Sequence, residues 1–206
     1  MQILAHRGYW DKAAPANSFA ALRRSIEAGF GFESDVRDYK GQLVISHNIA
    51  TEDSLPLDKL LCELEQHPGC CFAINIKADG LGEKLQNELK KHHIANFFAF
   101  DMSTPQMVEY ADLGISFFTR QSEYEVRPVL YEKAEGVWMD AFTDDSWLNS
   151  TSVQMHIKNG KKVCLVSPEL HCRPYDKFWK WLKTSGIALD KVLLCTDHPG
   201  EAKRFF

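Results

Sequence analysis

Three side chains between residues 31 and 48 could bind a cation and move a proton. Glu33 and Asp35 lie two residues apart in a strand-like run, so their carboxylates project from the same face, about 7 Å apart along the strand. Turn-forming residues at 38–41 then reverse the chain, and a second strand-like run leads to His47. Taken alone, this pattern is more typical of a solvated hairpin at a sheet edge, so its chemistry depends on what the other strands bring to it.

Cationic side chains in two other strand-like runs favour a phosphate ligand. Arg7 follows His6 near the N-terminus, and Lys77 ends the run at 72–77. A guanidinium binds phosphate through two parallel hydrogen bonds, and an ammonium adds a point charge. Imidazole titrates near neutral pH, so His6 and His47 could take the acid and base roles in proton transfer. Together these residue types indicate phosphoryl transfer.

The paired carboxylates also predict a bound divalent cation. Two same-face carboxylates with a third oxygen donor suit Mg²⁺ or Ca²⁺, which prefer oxygen ligands and retain waters that a substrate can replace. Zinc is less expected, because the histidines lack H-x-x-x-H spacing and no cysteine clusters with them.

The pattern of the whole chain predicts how these residues are positioned. Short apolar runs alternate with amphipathic segments at about 18–28, 57–66, 81–92, 104–113, 147–158 and 175–184 and after residue 199, and only 122–135 is weakly patterned. This alternation favours parallel pairing and predicts a TIM (β/α)8 barrel, one domain over residues 1–206, with a small β-hairpin inserted after strand 2 at 38–47. An open doubly wound sheet is the alternative, because pattern does not show closure. The predicted strands are 2–7, 31–37, 72–77, 97–101, 115–120, 137–142, 162–167 and 192–197.

Ionisable or polar residues occur where each predicted strand ends. In barrels of this type the chemistry lies at the carboxyl ends of the strands. Polar strand ends are partly expected, since chains leave a sheet through polar loops, so the concentration supports a site without proving one. In chain order these residues are His6 with Arg7, Glu33 with Asp35, Asn75 with Lys77, Asp101, Arg120, Asp140, Glu169 and Asp197.

Composition excludes several classes of partner. The 206 residues, 45% hydrophobic and 25% charged, have ordinary globular composition and are enough for one core. A net charge of -4 without a basic block predicts no nucleic-acid partner and no anionic membrane surface. No apolar run approaches the roughly 20 residues of a membrane helix, and the N-terminus lacks a signal-peptide pattern, so we expect no transmembrane segment and a cytoplasmic protein.

The cysteines and the remaining histidines are expected to be structural or solvated. The six cysteines show no C-x-x-C pairing and are predicted to be reduced. His92 and His93 follow two lysines at a helix end and are predicted to form a solvated positive cap. His67, His156 and His171 are expected on the surface, with His171 the strongest candidate among them for a role in a site.

Several motifs resemble those of the glycerophosphodiester phosphodiesterase family, which belongs with the phosphatidylinositol-phospholipase-C-like phosphodiesterases. The combination of H-R-G, then E-x-D, then a hairpin that ends in histidine is specific. The motifs are H-R-G at 6–8, P-A-N-S-F-A-A-L at 15–22, E-x-D at 33 and 35, G-Q-L-V-I-S-H at 41–47, N-I-K at 75–77 and T-D-H-P at 196–199.

The resemblance implies a TIM barrel, a divalent cation and a two-histidine mechanism. On that pattern Glu33, Asp35 and Asn75 hold the metal. The resemblance assigns acid and base catalysis to His6 and His47, and the substrate phosphate to Arg7 and Lys77. The expected substrate is a small glycerol- or sugar-alcohol-type phosphodiester, and the oligomeric state is left open.

Three departures from the family pattern each remove a carboxylate. Ala16, Asn48 and Asn75 stand where the family usually has Glu, Asp and Glu. Asp101 or the additional candidates Asp140 and Glu169 could restore the lost charge from neighbouring strand ends. The departures motivate an alternative, a catalytically weak or inactive relative that binds a phosphorylated ligand or partner. An enzyme acting on carbon is a third, less favoured hypothesis.

Overall fold

The computed structural model describes all 206 residues as a mixed α/β fold with a central ten-stranded sheet. The strands are β1 (Gln2–His6), β2 (Gly31–Tyr39), β3 (Gln42–Ile45), β4 (Leu55–Pro56), β5 (Phe72–Ile76), β6 (Phe97–Phe100), β7 (Phe118–Gln121), β8 (Gly136–Met139), β9 (Lys162–Val166) and β10 (Val192–Thr196). The helices are α1 (Phe19–Glu27), α2 (Leu57–Leu64), α3 (Gly82–Lys91), α4 (Thr104–Leu113), α5 (Ser150–Lys158), α6 (Asp176–Thr184) and α7 (Pro199–Phe205). None of the helices has the combination of length and hydropathy that crossing a bilayer requires.

All eight strands predicted from the sequence are present, and they pair in parallel. β1 pairs with β2 and β10, β2 pairs with β5, and β5 pairs with β6. On the other side of β1, β10 pairs with β9, β9 with β8, and β8 with β7. A single parallel bridge between Ala99 and Phe117 links β6 to the residue before β7.

The long strand β2 has different partners along its length. Residues Phe32 to Val36 pair in parallel with β5, whereas Val36 to Tyr39 pair antiparallel with β3. The tight turn between β2 and β3 contains Lys40 and Gly41, both with positive φ. β3 in turn pairs antiparallel with the two-residue strand β4. This arrangement returns the chain towards the carboxyl end of β2, where His47 follows.

Some predicted element boundaries were wrong. β7 begins at Phe118 rather than at residue 115, and β8 ends at Met139 rather than at 142. The fifth helix begins at Ser150, not at 147, because Asn149 and Ser152 form a capping box that fixes its start. The weakly patterned segment 122–135 contains turns but no helix or strand.

Alternating side chains bury both faces of the sheet. On β1, Leu4 belongs to a cluster of 11 buried residues on one face, while Ala5 belongs to a cluster of 24 that includes residues of α1 to α4. Aromatic rings fill the first cluster, with Phe98 stacked on Phe118 at 3.7 Å between ring centroids. A third cluster of 13 packs α5, α6 and α7 against the second half of the sheet. The two-sided burial explains why the strands read as continuous apolar runs.

Candidate active site

The H-R-G motif forms the turn that leaves β1. His6 is the last residue of β1, and both Arg7, at φ 55°, and Gly8, at φ 89°, adopt left-handed backbone conformations. A Cβ on Gly8 would lie 2.8 Å from the backbone carbon of Ala21, so only glycine lets this turn pack against α1. The turn directs the Arg7 backbone N–H to Glu33 Oε2, at 3.1 Å.

Glu33 and Asp35 lie on the same face of β2, as the two-residue spacing predicted. Glu33 is the register partner of His6 on β1, and Asp35 is the register partner of Asn75 on β5. The two acidic residues are 1% and 0% exposed. Three neighbouring strands therefore present imidazole, carboxylate and amide groups to one place.

Four nitrogen-bearing side chains lie close to the Asp35 carboxylate. Its carboxylate lies 3.3 Å from Arg7 Nε, 3.3 Å from Lys77 Nζ and 3.2 Å from His47 Nδ1. Asn17 Nδ2 donates a hydrogen bond to it at 2.7 Å. Burial raises the pKa of Asp35, but the charge of Lys77 and the hydrogen bond from Asn17 outweigh burial and hold that pKa below its ordinary value. Asp35 is therefore an ionised carboxylate at neutral pH.

Glu33 has the opposite electrostatic environment. Burial raises its pKa, and the nearby charge of Asp35 raises it further, although His6 partly opposes both effects. Its nearest cationic group is His6 Nε2, at 3.9 Å. A buried carboxylate with so little positive charge around it favours the arrival of a cation.

His6 is oriented by Asp197 at the end of β10. The His6 Nδ1 and Asp197 Oδ1 atoms are 2.8 Å apart, and Trp10 Nε1 donates to the same oxygen at 3.3 Å. Burial lowers the pKa of His6, but the hydrogen bond to Asp197 and the charge of Glu33 outweigh it, so the net shift is upward. Asp197 is held in turn, because its backbone N–H donates to Glu169 at 3.2 Å.

His47 faces Arg7 at the mouth of an open cavity. Arg7 Nη2 lies 3.0 Å from His47 Nδ1, and the His47 side chain is 44% exposed. Both residues line a cavity of ≈ 760 Å³. Polar side chains from the loops at 46–54 line much of its remaining wall. The site thus opens to a space large enough for a small polar molecule.

The oxygens of Glu33, Asp35 and Asn75 fit a divalent cation. The Asn75 Oδ1 atom is buried and has no hydrogen-bond partner. Buried polar atoms without a partner are rare in proteins. With two carboxylates on the adjacent strand, the donor set consists of oxygen atoms alone, as Mg²⁺ and Ca²⁺ prefer. The residues present therefore match such an ion, with one charge fewer than three carboxylates would provide.

The other predicted strand-end acids have their own partners. Asp101 forms an ion pair with Arg120 at 2.8 Å and lies 3.9 Å from Lys77, so it extends the network of Asp35. Asp140 pairs with His171 Nε2. Glu169 accepts hydrogen bonds from the hydroxyl groups of Ser167 and Thr196. Their assignment as additional metal ligands stays a prediction.

Sequence reasoning missed the part that Asn17 plays in the site. Asn17 and Ser18 are alternative caps for α1 by residue type, but Ser18 is the residue that caps it. Asn17 instead adopts a φ of 62°, donates to Asp35 and accepts a hydrogen bond from Ser34 at 2.7 Å. The P-A-N-S motif was the signal that could have indicated this, since it lies among the matched motifs.

Two histidines predicted to be solvated are buried. His92 is 5% exposed and His156 is 1% exposed. His156 Nδ1 pairs with the Tyr131 hydroxyl at 2.9 Å, which explains how its ring is accommodated in the interior. His92 instead contacts the carboxylates of Asp58, on α2, and of Glu65, the C-cap residue of that helix.

The fold has close structural relatives, although neither a protein-family model nor a curated protein sequence matches the chain. A glycerophosphodiester phosphodiesterase from Agrobacterium tumefaciens superposes with a TM-score of 0.76 at 15% identity, covering 100% of this chain and 98% of that one. The chain has the fold of the glycerophosphodiester phosphodiesterases. A glycerophosphodiester phosphodiesterase from Parabacteroides distasonis gives a TM-score of 0.73 at 16% identity, covering 98% of this chain and 95% of that one.

A third solved structure contains a reaction product. It is an Oleispira antarctica phosphodiesterase in complex with the product sn-glycerol-3-phosphate, with a TM-score of 0.71 at 17% identity, covering 100% of this chain and 96% of that one. At these identities the likeness establishes the fold. It confirms the resemblance to the glycerophosphodiester phosphodiesterases that the motifs indicated, as a resemblance of fold.

Proposed function

We propose that residues 1–206 form one closed TIM (β/α)8 barrel domain and that the chain is a metal-dependent phosphodiesterase of the glycerophosphodiester phosphodiesterase family. The parallel bridge between Ala99 and Phe117 supports closure, since it joins the two ends of the parallel strand order. On that barrel, the antiparallel β2–β3 pair would form the small hairpin inserted after strand 2. The structural likeness to solved phosphodiesterases over the whole chain supports the reaction class.

One observation carries the functional proposal. Paired carboxylates, two histidines and two cationic side chains come from sequence-distant segments and lie within one connected set of contacts around Asp35. A barrel built only for stability does not need this concentration of charge at a single end of its strands.

Two imidazoles on opposite sides of the carboxylate pair would carry the proton transfers. His6 is held by Asp197 and lies near Glu33, whereas His47 lies near Asp35 and reaches solvent. One imidazole would accept the proton of the attacking hydroxyl, and the other would donate a proton to the leaving alkoxide. Attack by a neighbouring hydroxyl of the substrate, which expels the alcohol and gives a cyclic phosphate that water then opens to a phosphomonoester, suits this arrangement.

Arg7 and Lys77 would neutralise the substrate phosphate. Both side chains are part-exposed, at 29% and 21%, and both extend towards Asp35 from the ends of β1 and β5. Guanidinium and ammonium groups aimed at one place stabilise the charge that accumulates on phosphoryl oxygens in the transition state. Glu33, Asp35 and Asn75 would hold Mg²⁺ or Ca²⁺, which when bound supplies further positive charge to those oxygens.

The substrate is proposed to be a small polar phosphodiester with a glycerol- or sugar-type alcohol. The cavity beside Arg7 and His47 is lined mainly by polar residues, including Ser46, Asn48 and Thr51. Hydroxyl and amide groups of this kind recognise polyols through hydrogen bonds. The Oleispira antarctica phosphodiesterase was solved with its product sn-glycerol-3-phosphate, the kind of phosphomonoester that hydrolysis of a glycerol phosphodiester releases.

The test is hydrolysis of a chromogenic phosphodiester that carries a hydroxyl next to its phosphate, in the presence of Mg²⁺, Ca²⁺ or Mn²⁺. His6→Ala and His47→Ala are each expected to lower turnover by more than about 100-fold, because each removes one proton-transfer group. His67→Ala, at an exposed histidine outside the site, is the matched control and should retain full turnover. Circular dichroism checks that all three variants fold, and near-native rates in the His6 or His47 variant would contradict the mechanism.

The alternative function is binding of a phosphorylated ligand without efficient turnover. The observation that favours it is the amide of Asn75, together with the neutralisation of Asp35 by cationic side chains of the chain itself. Calorimetric titration with each metal ion separates the two functions. Metal uptake with turnover supports the enzyme, whereas absence of both with retained affinity for glycerol phosphate supports the binding protein.

A further inference from the structure

Helices α2 and α3 carry a second group of potential metal ligands. Asp58 and Cys62 lie one helical turn apart on α2, and His92 is the C-cap residue of α3. One carboxylate oxygen, the thiol sulfur and one imidazole nitrogen all lie within 4.8 Å of one another. None of these three residues lines the cavity beside His47.

We propose that Asp58, Cys62 and His92 bind a zinc ion that links α2 to α3. Thiolate, imidazole and carboxylate are the three ligand types that Zn²⁺ combines in proteins, whereas Mg²⁺ and Ca²⁺ select oxygen ligands. A fourth tetrahedral position is left for water or for Glu88, whose Oε2 lies 3.9 Å from His92 Nε2. The site is independent of the oxygen ligands proposed on β2 and β5.

The surroundings of His92 are those of a metal-binding histidine. Its side chain is 6% exposed, and its Nδ1 lies 3.0 Å from Glu65 Oε2. A carboxylate on one ring nitrogen fixes the orientation of the imidazole and leaves the other nitrogen as the ligand. That other nitrogen, Nε2, lies 2.9 Å from Asp58 Oδ1 and so faces the cluster.

Lys91 is the group that zinc must displace. Its ammonium contacts Asp58, but the Lys91 side chain is 57% exposed and can turn into solvent. The three carboxylates of Asp58, Glu65 and Glu88 outnumber the two lysines of the adjacent groove, Lys84 and Lys91, and this excess of negative charge favours a dication.

The cluster is accessible from solvent. Cys62 is exposed, and Asp58 lines a groove of ≈ 350 Å³ together with Lys84, Glu88 and Lys91. Zinc would replace the thiol proton of Cys62 and any proton on His92 Nε2, so binding should weaken as the pH falls. Because its ligands come from two helices, the ion would cross-link them in the folded state only.

The test is titration of the full chain with Co²⁺, which accepts the same ligands as zinc and reports them by absorbance. We expect one equivalent of Co²⁺ to produce the visible bands of a tetrahedral complex and a near-ultraviolet thiolate-to-cobalt charge-transfer band. One equivalent of Zn²⁺ should abolish both, and excess Mg²⁺ should abolish neither. The Mg²⁺ result separates this site from the one proposed for catalysis.

Substitutions at exposed residues identify the ligands without disturbing the core. Cys62→Ser should abolish the charge-transfer band, and Asp58→Asn should weaken Zn²⁺ binding at least tenfold. Cys172→Ser, at an exposed cysteine outside helices α2 and α3, is the matched control and should leave the spectrum unchanged. Absence of the charge-transfer band in the unmodified chain, or its survival in Cys62→Ser, would overturn the proposal.

A stability measurement provides a second readout. At a free zinc concentration about 100-fold above Kd, the unmodified chain should gain about 5–10 °C in Tm, because only the folded state assembles the site. The Cys62→Ser variant should gain much less, and Cys172→Ser should gain as much as the unmodified chain. An equal gain in all three proteins would show that zinc binds elsewhere and would refute the assignment.

Discussion

Replacing the amide of Asn75 by a carboxylate tests whether Glu33 and Asp35 belong to a cation site that lacks one charge. Asn75 is the register partner of Asp35 on the neighbouring strand, and its Oδ1 is buried without a hydrogen-bond partner. Adjacent strands lie about 4.8 Å apart, so the new carboxylate of Asn75→Glu would lie about 5 Å from that of Asp35.

The expected destabilisation follows from Coulomb repulsion. With an effective dielectric constant of about 20, two like charges about 5 Å apart repel by about 3 kcal/mol. Lys77 Nζ lies 3.3 Å from Asp35 Oδ1 and offsets part of this repulsion. We therefore expect Asn75→Glu to lower the free energy of unfolding by about 1–2 kcal/mol when a chelator removes divalent cations.

A bound cation should reverse the sign of the effect. A dication attracts the added carboxylate, and a gain of about 3 kcal/mol corresponds to Mg²⁺ binding about 100-fold tighter. In saturating Mg²⁺ the Asn75→Glu variant should become at least as stable as the unmodified chain. Its metal-dependent hydrolysis of a chromogenic phosphodiester should also rise.

Urea unfolding with and without Mg²⁺ measures both effects, and Asn75→Gln is the matched control. Glutamine lengthens the side chain by the same methylene group but adds no charge, so it reports steric misfit alone. If the glutamine and glutamate variants respond equally to Mg²⁺, or if neither responds, Asn75 does not occupy the position of a third metal ligand.

Other contacts make separate predictions. Asp197→Asn should lower kcat at least about tenfold with little change in KM, because Asp197 orients His6; steady-state kinetics measure this, and a change confined to KM would contradict it. Slight burial raises the pKa of Glu123, but hydrogen bonds from the Thr143 and Phe142 backbone outweigh it and lower the pKa from 4.5 to about 2. This stabilisation is present above the unfolded-state pKa and is lost as the pH falls towards the folded-state pKa. Glu123→Gln should therefore destabilise the chain by about 0.5–1 kcal/mol near neutral pH, allowing for solvent screening, and urea melts at about pH 3 should show a smaller difference. Mg²⁺ should strengthen the binding of glycerol phosphate in calorimetry, because a cation at Asp35 releases cationic side chains for the phosphate, and equal affinities with and without Mg²⁺ would count against this coupling.

The order of secondary-structure elements could be predicted because apolar periodicity is local. Each of the eight predicted strands is present, since burial on both faces selects apolar residues in short runs. The start of α5 could not be predicted, because the capping box of Asn149 and Ser152 outweighs the apolar pattern that begins at Trp147. The pair β3–β4 was also missed, because the two residues of β4 are too few to show a period.

The contents of the site were partly predictable for a similar reason. Spacing alone placed Glu33 and Asp35 on one face, and the turn at 38–41 indicated that His47 returns to them. No local pattern indicated that Asn17 donates to Asp35, because this contact depends on a loop with positive φ rather than on periodicity. The burial of His92 was missed for the same reason, since it depends on how α2 and α3 pack together.

The enzyme and the binding protein would make different use of the Asp35 carboxylate. It lies on the rigid strand β2 and is fully buried, whereas Arg7 and Lys77, which neutralise it, are long and part-exposed. The anionic part of the site is therefore fixed, and the cationic part can move. A chain that only binds phosphate needs Arg7 and Lys77 but gains nothing from two buried carboxylates, which repel the ligand. The carboxylates make sense when a metal ion occupies them, and this argument favours the phosphodiesterase over the binding protein.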